Sequence, residues 1–116
     1  MVPMNAYAVA HLRTIDLNDD IVRYLETIDD TLAPYDGRFL VHGVDPEGME
    51  GPFEGNLVII EFPDVDRART WYESPEYQAI LPLRTENSEG WAVVVQGTPT
   101  GYRATHFLDK VFGAQR

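Results

Sequence analysis

The chain has 116 residues, enough for one ordinary domain, of which 44% are hydrophobic and 24% charged, a balance typical of folded globular proteins rather than disordered ones. Nineteen acidic residues against nine basic ones give a formal charge of −10, with no cysteine. A phosphate backbone or an anionic bilayer would be repelled, and disulfide frameworks, thiolate catalysis and zinc–sulfur sites are excluded.

No apolar run approaches the roughly 20 residues that span a bilayer. Met1 to Asn5 has neither the basic nor the apolar region of a signal peptide, so the expected location is cytoplasmic.

Residues 5–13 alternate as a first strand, with Tyr7, Val9, His11 and Arg13 on one face and Ala6, Ala8, Ala10 and Leu12 on the other. Asp16 or Asn18 can cap a helix over about 18–33. Its apolar stripe is Ile21, Tyr24, Leu25, Ile28 and Leu32, and Pro34 and Asp36-Gly37 end it. Arg38 to Val44 reads as a second strand. The stretch from Asp45 to Gly55, with two prolines and three glycines, reads as a connection.

Asn56 to Phe62 is a third strand, and Asp64 caps a second helix whose inward face carries Val65, Ala68, Trp71 and Tyr72. Ser74-Pro75 breaks that helix and starts a short one over Glu76 to Leu81, because serine caps and proline fits the first helical position. Trp91 to Gly97 is the fourth strand. Residues 97–101 form a hinge into a weakly helical tail, in which Phe107, Leu108, Val111 and Phe112 are free to pack.

The order β-α-β-β-α-β is that of a ferredoxin-like α+β domain with a four-stranded antiparallel sheet. Residues 1–97 are expected to form that domain, and 98–116 an extension acting as a lid or dimer arm. Strands three and four are apolar on both faces, through Leu57 to Ile60 and Ala92 to Val95. A sheet covered by helices on one side should be polar on the other. A second copy, packed sheet against sheet, is the economical cover, and a homodimer is expected.

Gly37 to Gly43, Glu50-Gly51, Val58 to Pro63 and above all Trp71-Tyr72-Glu73-Ser74-Pro75-Glu76-Tyr77-Gln78 followed by Arg84 resemble domain-of-unknown-function family 1330. The resemblance covers roughly residues 5–97. It implies the dimeric α+β barrel superfamily, whose other members include cofactor-free monooxygenases, lactone isomerases and haem proteins. It supplies no reaction. The chain departs from the family pattern at His42, where a second basic residue would be expected, and in its longer tail.

No phosphate loop, nucleophile elbow or His-Glu-x-x-His motif occurs. His42 and Glu61, at the ends of strands two and three, are the catalytic candidates, since a carboxylate beside an imidazole makes a general base. The plainer alternative puts both at a solvated sheet rim. His11 is a further candidate, equally readable as structural.

Tyr24, Tyr72 and Tyr77 could line a pocket for a flat apolar ligand, whereas Trp71 reads as core. Arg38 and Arg84 suit a ligand carboxylate or enolate. Pairing with acids such as Glu61 or Glu76 is the simpler alternative for both, and the one taken for Arg84.

The leading expectation is a dimeric protein for a small apolar ligand without a tightly held cofactor. As an enzyme it would be an isomerase, cyclase or cofactor-independent oxygenase. The alternatives are a non-catalytic ligand-binding or protein-interaction module, and a haem protein using His11 or His42.

Overall fold

A computed structural model describes residues 4–113. Four strands form one antiparallel sheet: β1 (Ala6–Ile15), β2 (Arg38–Val41), β3 (Asn56–Phe62) and β4 (Ser88–Gln96), in the spatial order β2-β3-β1-β4. Helices α1 (Asp19–Leu32), α2 (Val65–Glu73) and α3 (Pro75–Thr85) belong to the body, and α4 (His106–Phe112) to the tail. This is the ferredoxin-like arrangement. Among the described residues no helix is long and apolar enough to cross a membrane.

Local chemistry sets the helix boundaries. The Asn18 side chain accepts from the Ile21 amide at 3.1 Å, and Asp64 from the Arg67 amide at 2.7 Å. Each satisfies one of the amides that a first helical turn leaves without a partner. Ser74 is shared by two helices. Its Oγ donates to the Trp71 carbonyl at 2.7 Å, closing α2, and accepts from the Tyr77 amide at 3.2 Å, opening α3.

The third helix differs from its sequence expectation. It passes through Pro82 and ends at Thr85 rather than stopping at Leu81. A proline forfeits its own amide bond, and the last turn is held instead by the Glu86 amide on the Pro82 carbonyl at 3.0 Å and Asn87 Nδ2 on the Leu83 carbonyl at 2.8 Å.

Two strands also shift. β2 ends at Val41, with an irregularity in its pairing to β3 between Phe39 and Val41. β4 begins at Ser88 because Gly90 lies opposite Leu12. A Cβ at Gly90 would collide with the His11 carbonyl oxygen, so this close approach of two strands needs glycine.

The register separates two faces. Ala6, Ala8, Ala10 and Leu12 of β1 face the helices, beside Val58, Ile60 and Phe62 of β3 and Ala92 and Val94 of β4. The packed core gathers at one end of that layer, around Phe62, Ala68, Trp71, Tyr77, Ile28 and Leu32.

The other face presents three cross-strand rows: Glu61–Tyr7–Val95, Ile59–Val9–Val93 and Leu57–His11–Trp91. Among the described residues nothing covers it fully, so Trp91, Val93 and Val95 remain 52%, 47% and 48% exposed. Among the described residues the tail does not close over it, since α4 makes no extensive contact with any other element. The tail leaves the body long in one direction, with extents of 56 × 37 × 19 Å.

Candidate functional site

Helices α1 and α2 stand differently over the sheet. α2 packs closely on β1, β3 and β4, whereas the close backbone contacts of α1 are with α3 and with the turn over Ala33–Tyr35 rather than with a strand. Between helices and sheet lies a cavity of about 460 Å³, within the size range of sites for small organic ligands. On the helix-facing side of the sheet the cavity is lined by Ala8, Ala10 and Ala92, whose side chains are single methyl groups. Ile21, Ile28, Val58, Ile60, Phe39 and Trp71 are among its walls. The exposed Leu17, Leu25 and His42 border it.

One end of the cavity is aromatic and polar. Tyr24 from α1 and Tyr77 from α3 bring their hydroxyls to 2.7 Å and are 7% and 2% exposed. Tyr77 also stacks on Trp71, with ring centres 4.1 Å apart, and meets Tyr72 at 5.5 Å. Trp71 is core and wall at once. Its indole Nε1 donates to Thr31 Oγ1 at 2.9 Å, and its ring lies 5.4 Å from Phe62.

Arg84, seven residues after Tyr77 and therefore on the same side of α3, reaches the same end. Its guanidinium carbon is 6.0 Å from the centre of the Tyr24 ring. Burial alone would lower the Arg84 pKa, but the opposing effect of Tyr77 and then Tyr24 raises it, and the side chain remains a cation.

Burial is also the main reason that the Tyr24 phenol is held above its ordinary value of 10.0. Tyr77 adds to the rise, and Arg84 opposes it. The folded chain therefore keeps a proton that the unfolded chain releases near that pH, and this contribution to stability is complete below it and lost as pH rises above it. We expect the urea midpoint to fall between about pH 9 and about pH 11, and Tyr24→Phe to flatten that fall.

The structure gathers some of the sequence-selected residues and separates others. Tyr24, Tyr72 and Tyr77 line the cavity, and His42 sits at its edge with its ring 4.9 Å from that of Phe39. Glu61 does not meet His42. It lies in the outermost row of the opposite sheet face, where Arg38 binds it at 2.8 Å and Asn5 donates to it at 3.1 Å. Arg38 is thereby an ion-pair residue in this structure rather than a cavity residue. His11 also lies on the far face, its Nε2 2.7 Å from the Glu54 carbonyl oxygen and its ring against Phe53 and Trp91. His42 is therefore the one histidine among the lining residues, and it stands at the exposed edge of the cavity.

Arg84, for which the sequence favours pairing with an acid over ligand binding, has no carboxylate within 4.0 Å among the described residues. The helix that continues through Pro82 turns it inward, and the spacing Tyr77, Ile80, Arg84 was the available signal.

Comparison with solved structures agrees with the fold. The chain is similar to the RPA0582 protein of unknown function from Rhodopseudomonas palustris, with 14% identity and a TM-score of 0.60 over 87% of this chain and 85% of that one. The methylated form of RPA0582 gives 15% and 0.61 over 87% and 84%. A protein of unknown function from Thermobifida fusca YX, described as dimeric and ferredoxin-like, gives 20% and 0.53 over 81% and 90%. No curated protein matches. A family model for a domain of unknown function, DUF1330, matches residues 5–98, and the chain, as its Trp71-to-Gln78 segment led us to expect, belongs to that family.

Proposed function

We propose that the protein is a homodimer whose protomers each hold a small, largely apolar ligand between the sheet and helices α1 and α3. The observation that carries this reading is the cavity above Ala8, Ala10 and Ala92. A well-packed interior tolerates few voids larger than a water molecule, and a chain selected for stability alone would fill this one with leucine or valine.

The dimer rests on the open apolar face. It is bordered by the Arg38–Glu61 pair at one end and by Arg13–Glu89, 2.6 Å apart, at the other. An apolar patch with a polar rim is the usual form of a protein interface. The description of the Thermobifida fusca protein as dimeric is in keeping with it. We assign the tail as a dimer arm, since the exposed Phe107, Val111 and Phe112 of α4 find no extensive partner in their own protomer. The cytoplasm is the compartment we assign, on composition.

The ligand reading is tested with Ala10→Leu, which places a larger side chain in the cavity. We expect saturable binding of the neutral probe 2-naphthylmethanol to the wild type by calorimetry, and affinity at least about tenfold weaker in the variant at unchanged fold. Equal affinity in the two proteins would contradict the reading.

A second reading, catalysis by an isomerase, cyclase or cofactor-independent oxygenase, draws on the place of His42 at the cavity edge. It has His42 acting without Glu61, which lies across the sheet. Chemical conversion of a bound ligand by the wild type but not by His42→Ala would support it, and unaltered conversion would count against it.

A further inference from the structure

The charge distribution around the cavity says more about its ligand than its size does. The protein carries 19 acidic residues, yet none of them lines the cavity, and Arg84 is the only Lys or Arg among the lining residues. Arg13, Arg38, Arg67 and Arg69 each have a carboxylate oxygen between 2.6 and 3.4 Å away. Among the described residues Arg84 has none within 4.0 Å. Glu61, one of the two acids expected to neutralise it, is held by Arg38 instead.

Arg84 is half-buried, and a guanidinium partly withdrawn from water and left without an anion carries a desolvation cost. Here its neighbours are two phenols, Tyr24 and Tyr77. These hydroxyls share one hydrogen bond between them. Since each phenol has one proton, the pair retains one O–H that is free to donate to an incoming oxygen. The position of Arg84 in the last turn of α3 adds a favourable field for its charge but supplies no counter-ion.

We propose that the cavity is a site for apolar monocarboxylates, with the ligand carboxylate on the Arg84 guanidinium and the Tyr24–Tyr77 hydroxyl pair, and the hydrocarbon body over Ala8, Ala10 and Ala92. The proposal rests on the reading that the cavity holds a ligand, and it adds the chemistry of the ligand's polar end. A planar guanidinium binds a carboxylate through two parallel N–H donors. The walls formed by Trp71, Tyr72 and Phe39 suit a flat ring or a short chain, and a second charge on the ligand would find no partner.

The test compares three probes of one shape, 2-naphthoate, 2-naphthylmethanol and the cation 2-naphthylmethylammonium, by calorimetry on the wild-type protein near neutral pH. 2-Naphthoate is expected to bind at least about tenfold more tightly than the alcohol, and the cation more weakly than either. Arg84→Leu should erase the preference by weakening the acid while leaving the alcohol within about threefold. Arg84→Lys should retain part of it, since a point charge replaces a fork.

Equal affinity of acid and alcohol for the wild type would overturn the proposal and leave the apolar-ligand reading intact. A preference for the acid that survives Arg84→Leu would also overturn it, by placing recognition elsewhere. If none of the probes binds the wild type, both readings fall together. The wild-type comparison and the lysine variant decide the matter even if the leucine variant does not fold.

Discussion

Val93→Asp is expected to leave the protein monomeric. Val93 sits in the central row of the open face, beside Val9 and in line with Ile59, and is 47% exposed in the protomer. A two-fold interface presents the same patch from both sides, so one substitution introduces two carboxylates into an apolar contact. Each loses its hydration without gaining a partner, at a cost of several kcal/mol.

Sedimentation velocity at micromolar concentration should show a dimer for the wild type and a dissociation constant raised at least about 1,000-fold in the variant. Because Val93 faces away from the core, the protomer should keep its circular dichroism. A dimer that survives the substitution would place the interface elsewhere, and a wild-type monomer would remove the dimer from the account.

The largest effect on the fold itself is expected from Trp71→Ala. The indole is 2% exposed, packs on Tyr77 and Phe62, and donates to Thr31 Oγ1, tying α2 to α1. Truncating a buried tryptophan costs about 3–5 kcal/mol. A domain of this size would then melt roughly 15–30 °C lower. Urea unfolding followed by circular dichroism measures the loss.

The chain's other tryptophan supplies the contrast. Trp91→Ala removes a ring that is 52% exposed in the protomer, so it should weaken dimerisation far more than it weakens the protomer. Similar losses of protomer stability at the two positions would contradict the division between a packed core and an open face.

The order of elements was legible in the sequence because each boundary carries its own chemistry. Asn18, Asp64 and Ser74 cap the helices as their side chains imply, and the alternation along β1 assigned both faces as the register shows them. The apolar second face could be read from Leu57 to Ile60 and Val93 to Val95 alone.

The site was less legible. Three alanines facing one way look like any small-residue face, and whether they leave a space depends on how far α1 stands from the sheet. That distance is a property of packing between elements remote in sequence. The pairing of His42 with Glu61 was drawn from two strand ends, but an antiparallel register puts Arg38, not His42, opposite Glu61. The abundance of acids outweighed the seven-residue spacing that links Tyr77 to Arg84, and so the cavity's one arginine was assigned to an ion pair.

The most direct test of the ligand site is a map of backbone amide shifts in the ¹⁵N-labelled protein as 2-naphthylmethanol is added. Saturable changes are expected to concentrate at Ala8, Ala10, Ile28, Tyr77 and Ala92, with the far-face residues Tyr7, Trp91 and Val95 moving less. Changes centred instead on Tyr7, Trp91 and Val95, or spread without saturation over the surface, would contradict a ligand in the cavity.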